Sequence, residues 1–297
     1  MPDRILTATA VDGSFSIVAG ITTELVREMQ RRHELAPTAS AAVGRLTTGA
    51  ALLGASLKGR EKLTLQVASD GPLRGLVADV LLSTRDTIGA RGYARRPDVD
   101  VPLNALGKFD VGAAVGKGYL QVTRSFEVGQ PYVGITELTS GEIGDDIAAY
   151  LVTSEQIPSV VALGVLANPS GIVASGGIIA QVLPGADDAT IAALETRARA
   201  MAPVTTQIAN GANVEDLLRS LGDDFAMRQT RAYDLAFACT CSLERVERAL
   251  LGLGRDELEK IVTEQTHTEA VCEFCKTAYV LSRDEVRGLI DQLEARN

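Results

Sequence analysis

The chain has no tryptophan, only two histidines, and no cysteine before Cys239. Aromatic residues make up 4% of its 297 residues. A core must therefore be packed from Ala, Val, Leu and Gly, and apolar residues, at 46%, suffice to build one. With His33 and His267 as the only imidazoles, no convincing Ser/His/Asp or Cys/His nucleophile can be assembled, so the chain is not expected to be an enzyme. Positive charge is also short: 29 Lys and Arg stand against 38 Asp and Glu, a formal charge of −9. Nucleic acid demands a basic footprint and is excluded as a partner. No apolar run reaches the roughly 18 residues of a membrane-spanning helix. Nothing at the N-terminus resembles a secretory signal. The expectation is a soluble, cytoplasmic protein with reduced thiols and no membrane partner.

What is present is concentrated at the end of the chain. The four cysteines form two tight pairs, Cys239-Thr240-Cys241 and Cys272-Glu273-Phe274-Cys275. Four soft sulfurs in two pairs can close a tetrahedral shell around one zinc ion. Cys-x-x-Cys is the usual knuckle spacing, and Cys-x-Cys, though tighter, can still aim two sulfurs at one metal. Two other readings compete. A disulfide framework belongs to secreted chains. A thioredoxin-like site needs Cys-x-x-Cys early, after a strand, whereas here the motif is late and has a second pair beside it. One Zn²⁺ held by Cys239, Cys241, Cys272 and Cys275 is therefore the expected cofactor. His267 is a spare candidate left facing solvent, because four sulfurs already fill the shell. His33 ends a helix at Arg31-Arg32-His33, where positive charge suits the dipole.

Along the chain, the pattern predicts α+β: an N-terminal core of strands with packed helices, a helical linker and a small C-terminal zinc-binding domain. Residues 4–20 read as a hairpin turning at Asp12-Gly13. Thr22 or Thr23 caps a helix, and Pro37 starts a second, rich in Ala and Gly, whose small residues let other elements approach closely. Strand signals follow at 62–68, 73–82, 87–93, 119–123 and 132–138. A helix is expected from Ser140 to about Gln156, then strands at 159–166 and 172–183, the second with Gly176-Gly177 at its centre. The stretch Gly112-Ala113-Ala114-Val115-Gly116-Lys117-Gly118 resembles a phosphate loop but has one residue too few between its glycines and no Ser or Thr after the lysine, so it reads as a bend. The expected division is 1–184 core, 185–230 linker and 231–297 zinc domain. The linker is a series of short helices that must dock to be stable. The last helix is expected after Ser282, to about Ala295.

Several motifs beyond the cysteines carry a resemblance: Ser69-Asp70-Gly71-Pro72, Ser140-Gly141-Glu142-Ile143-Gly144-Asp145-Asp146, Ser154-Glu155-Gln156-Ile157-Pro158, Ala174-Ser175-Gly176-Gly177, Gln181-Val182-Leu183-Pro184 and Cys239-Thr240-Cys241-Ser242. Together they make the chain resemble the redox-regulated 33 kDa chaperonin family over nearly its whole length. That resemblance implies a stress-activated, ATP-independent holdase, inactive while reduced and zinc-bound. It implies oxidation to disulfides Cys239–Cys241 and Cys272–Cys275, loss of zinc and unfolding of the linker. It implies unfolded client proteins as partners and a homodimer when oxidised. The alternative is a constitutive zinc-stabilised protein-binding module, and a third reading is a disulfide oxidoreductase.

Overall fold

The computed structural model describes residues 2–294, and every side chain among them but that of Glu294; the expected helix end at Ala295 lies outside the described residues. The chain divides into two compact units, Met1–Ala238 and Cys239–Asn297.

The first unit is built on one mixed sheet. Strands β1 (Arg4–Ala10) and β2 (Phe15–Ile21) form the expected hairpin, but its loop is four residues long, with Gly13 at φ 77° and the Asp12 carboxylate accepting the Ser14 N–H at 3.0 Å. Helices α1 (Thr23–His33) and α2 (Pro37–Gly54) follow, then β3 (Lys62–Ser69), β4 (Leu76–Thr84) and β5 (Thr87–Ala94). A short α3 (Val111–Val115) leads to β6 (Gly118–Ser125) and β7 (Tyr132–Glu137). Next come α4 (Gly144–Thr153), β8 (Ser159–Asn168) and β9 (Gly171–Val182). Three helices, α5 (Asp188–Ala200), α6 (Val204–Ala209) and α7 (Val214–Gly222), precede β10 (Met227–Phe237).

The ten strands run in the order β7-β6-β3-β4-β5-β10-β1-β2-β9-β8. All pairs are antiparallel except β10 with β5. Because side chains alternate across a strand, the sheet has two apolar faces. Ile5 of β1 faces one core, with α1 and α2, while its neighbour Leu6 faces the other. Helix α2 touches β4 and β5 as well as β8 and β9, so the sheet curls around it, and α4 bridges the two edge strands β7 and β8. The small residues of α2 permit this. A Cβ at Gly44, Gly49 or Gly54 would collide with Val165, Ile147 or Val80 respectively. Gly176 and Gly177 likewise mark close approach, to the Gly20 backbone and to Leu163. The register of that strand pair shifts elsewhere, between Leu166 and Ala167.

On the opposite face lie α5, α6 and α7. Leu194, Val204, Val214, Leu217 and Leu221 are buried there against Leu6, Phe15, Ile17, Ile21 and Ile178. Helix α7 carries a capping box at Asn213: its side chain accepts the Asp216 N–H at 2.8 Å, and Asp216 accepts the Asn213 N–H at 2.9 Å.

Three details differ from the sequence expectation. The boundary expected at 231 falls inside β10, which is inserted between β5 and β1, so the second compact unit starts at Cys239. The helix expected from Ser140 starts at Gly144. The preceding loop is instead gathered on the buried Asp146, whose carboxylate accepts N–H bonds from Thr139, Ser140, Gly141 and Ile143 at 2.7–3.2 Å. His33 does stand in the last turn of α1, but it is buried and stacked on Tyr93 with ring centroids 6.3 Å apart.

The second unit contains α8 (Leu243–Leu251), α9 (Arg255–Glu264), the hairpin β11 (His267–Val271) and β12 (Ala278–Ser282), and α10 (Arg283–Glu294). Its core is small: Leu250, Leu258, Leu281, Val286, Leu289 and Ile290.

Candidate metal centre

Each cysteine pair is held by a distinct local structure. Cys239 and Cys241 lie in the extended segment entering α8, which Ser242 caps by accepting the Arg245 N–H. The Arg245 guanidinium reaches back to the Thr240 hydroxyl at 2.7 Å and so ties the segment to the helix. Cys272 and Cys275 lie in the six-residue connection between β11 and β12. There the Cys272 N–H donates to Thr277 O at 3.0 Å, and the Lys276 N–H donates to Cys272 O at 2.8 Å. Lys276 takes the left-handed conformation, φ 59°, that closes this turn. Backbone N–H groups of Phe274 and Cys275 point at the Cys272 sulfur.

These two devices bring all four sulfurs within 4.8 Å of one another. Cys239 and Cys272 are 3.7 Å apart, Cys241 and Cys275 3.3 Å. A tetrahedral zinc site with Zn–S near 2.3 Å needs sulfurs about 3.8 Å apart, so the spacing fits. Cys275 is buried and the other three are half-buried. Two hydroxyls complete the surroundings: Tyr279 Oη lies 3.1 Å from Cys241 Sγ, and Thr277 Oγ1 lies 3.2 Å from Cys275 Sγ.

The electrostatics follow from crowding. Burial pushes the Cys241 thiol up to about 12, helped by the neighbouring sulfurs, and pushes Cys272 up as well. Burial also raises Cys275, but its hydrogen bonds with the Thr277 hydroxyl and N–H and with the Cys241 and Cys272 sulfurs outweigh it, bringing Cys275 down to about 6. Four sulfurs this close repel as thiolates. A divalent cation removes that repulsion and holds all four deprotonated, which is the chemistry this donor set can supply.

The other expected residues stand apart from the cluster. His267 is exposed at the start of β11. In the stretch 112–118, the first four residues belong to α3 and the rest turn into β6, with the Lys117 N–H already donated to Asp70 at 2.7 Å. Sequence reasoning missed Tyr279, Thr277 and Arg245. The signal for Tyr279 was there: it shares strand parity with Leu281, which is buried, while Val280 faces out.

A family model described as "Hsp33 protein" matches residues 3–282. The 33 kDa chaperonin of Bacillus licheniformis is 42% identical over 294 residues, covering 98% of this chain and all of the relative. That of Acetivibrio thermocellus is 40% identical over 298 residues, covering 100% of this chain and 99% of the relative. The crystal structure of the 33 kDa chaperonin, a heat shock protein 33 homolog, from Thermotoga maritima superimposes with a TM-score of 0.90 at 32% identity, with both chains fully covered. Agreement from end to end, in sequence and in fold, makes this chain a member of the Hsp33 family and an Hsp33-type chaperone.

Proposed function

We propose that this protein is a redox-switched, ATP-independent holdase of the cytoplasm rather than an enzyme. In the resting form one Zn²⁺ is held by Cys239, Cys241, Cys272 and Cys275. The cluster of four sulfurs within 4.8 Å carries this reading, because such a set is both a complete zinc shell and a concentrated store of oxidisable thiolates. Oxidation consumes the thiolates, removes the ligands and with them the metal's contribution to the fold of the second unit. Segment 185–230 then undocks and uncovers an apolar sheet face that includes Leu6, Phe15, Ile17, Ile21 and Ile178. Non-native client proteins bind there, and the oxidised form dimerises.

The disulfides are assigned by family resemblance as Cys239–Cys241 and Cys272–Cys275. Close sulfur contacts also run across the pairs, Cys239 with Cys272 and Cys241 with Cys275, so peptide mapping of the oxidised protein is the direct check on the pairing. The reading as a whole is tested by following metal release with a chromogenic chelator during peroxide treatment at mild heat, with light scattering of a thermally unfolding client alongside. Protection that arises only after metal release is the expected outcome. Protection by the reduced protein, lost on chelation, would instead make it a constitutive zinc-stabilised binding module.

A further inference from the structure

Tyr279 is the one aromatic hydroxyl found at the sulfur cluster among the described residues, and it links the two halves of the site. It follows Cys275 by four residues on β12, yet its hydroxyl meets Cys241 of the other pair, at 3.1 Å. The segment carrying Cys241 has no strand partner of its own. Besides the sulfurs, the Ser242 cap and the Arg245–Thr240 bond tie it down. Strand β12, by contrast, is fixed by pairing with β11, with Ala270 opposite Tyr279. The phenol is thus presented to the sulfur from a hydrogen-bonded strand.

We propose that Tyr279 is a positioning residue that restrains the reactivity of Cys241 and sets the oxidant threshold of the switch. The inference rests on the redox reading given above. In the metal-bound form the Cys241 sulfur is a thiolate, and the Tyr279 O–H donates to it. A hydrogen bond to a thiolate occupies a lone pair and withdraws charge, which lowers its nucleophilicity. The step it slows is attack on a hydroperoxide. A lone pair of Cys241 Sγ forms an S–O bond, the O–O bond breaks, and hydroxide leaves and takes a proton to become water. The sulfur is oxidised by two electrons to a sulfenic acid, and the peroxide is reduced. A neighbouring cysteine thiolate then attacks the sulfenic sulfur. An S–S bond forms, the S–O bond breaks, and a second hydroxide leaves as water. In sum, two thiolates, one peroxide and two protons give one disulfide and two waters.

The test uses the full-length, zinc-loaded, reduced protein and its Tyr279→Phe variant, which keeps the ring and removes only the donor. Two rates are compared: zinc release driven by hydrogen peroxide, and zinc release to excess chelator without oxidant. Loss of titratable thiols is followed in parallel. The expected result is a threefold or larger acceleration of the peroxide-driven rate and of thiol loss, with the chelator-driven rate changed by less than half that factor. An unchanged peroxide rate overturns the proposal. So does an equal acceleration of both rates, because it would mean the phenol only holds the site together. A Tyr279→Leu variant, losing the ring as well, should accelerate both rates and so marks the structural effect. None of these readouts involves a client, so a holdase reading that failed by light scattering would be recognised separately.

Discussion

At the scale of single residues, the start of α1 shows how a carboxylate is used and what it costs. Thr22 stands at the N-cap but makes no capping bond, because its hydroxyl is shared with Thr48 and Ser175 at 2.7 and 2.8 Å. The cap comes instead from Asp3, whose oxygens accept the N–H groups of Glu24 at 3.1 Å and Leu25 at 2.7 Å. Asp3 is only 6% exposed, and burial pushes its carboxyl up to about 6 in spite of those two donors. A raised folded-state value means the protonated form is favoured on folding. The contribution is therefore fully present below the unfolded value near 3.8 and is lost as the pH rises through about 6. Asp3→Asn keeps an acceptor and removes the ionisation. Between pH 4 and pH 7 the wild type should lose about 2–3 kcal/mol relative to this variant, following from a shift of roughly two units. Denaturant unfolding at four pH values checks it, and a pH-independent difference would count against a buried, titrating Asp3. Sequence reading assigned the cap to Thr22 or Thr23, since a cap supplied from twenty residues upstream has no local signature. The four cysteines were legible for the opposite reason: their ligand spacing is written within three residues on each side.

At the scale of elements, the segment 185–230 was readable as short helices. Its depth of burial was not readable. Alone its apolar residues look sparse, but Leu194, Val204, Val214, Leu217 and Leu221 all point into one sheet face. Strand β10 was the harder case. Its first half carries the exposed polar run Arg228 to Arg231, and only Tyr233 and Leu235 are buried, so nothing marked it as an inner strand of a large sheet. Pairing with β1 and, in parallel, with β5 decides it, and neither partner is near in sequence. The docked helices give a prediction of their own. Leu217 is fully buried, and Leu217→Ala should cost about 2–5 kcal/mol at that interface through lost transfer energy and a cavity. Limited proteolysis of the reduced variant should show faster cleavage within 185–226, and the reduced variant should suppress client light scattering without oxidant. Faster cleavage with no client protection would show that undocking α5–α7 does not uncover the client surface.

At the scale of the whole molecule, the two compact units differ in what holds them. Met1–Ala238 has two extensive apolar cores on the faces of one sheet. Cys239–Asn297 has one core of six buried apolar side chains and the sulfur cluster. A unit of about sixty residues buries too little surface to be more than marginally stable by itself. Bound structural zinc contributes roughly 10–16 kcal/mol in modules of this kind, far more than such a core has to spare. Stripping the metal from the reduced protein should therefore unfold the second unit and leave the first folded. Hydrogen exchange read by mass spectrometry resolves this. With chelator and no oxidant, amides of α8, α9, α10 and β12 should lose protection, while those of β1, β2 and β9 should keep it. Retained protection in α8–α10 after the metal has gone would mean that Leu250, Leu258, Leu281, Val286, Leu289 and Ile290 suffice as a core. Oxidation could not then act by removing the metal, and any switch would have to work through the geometry of the disulfides themselves.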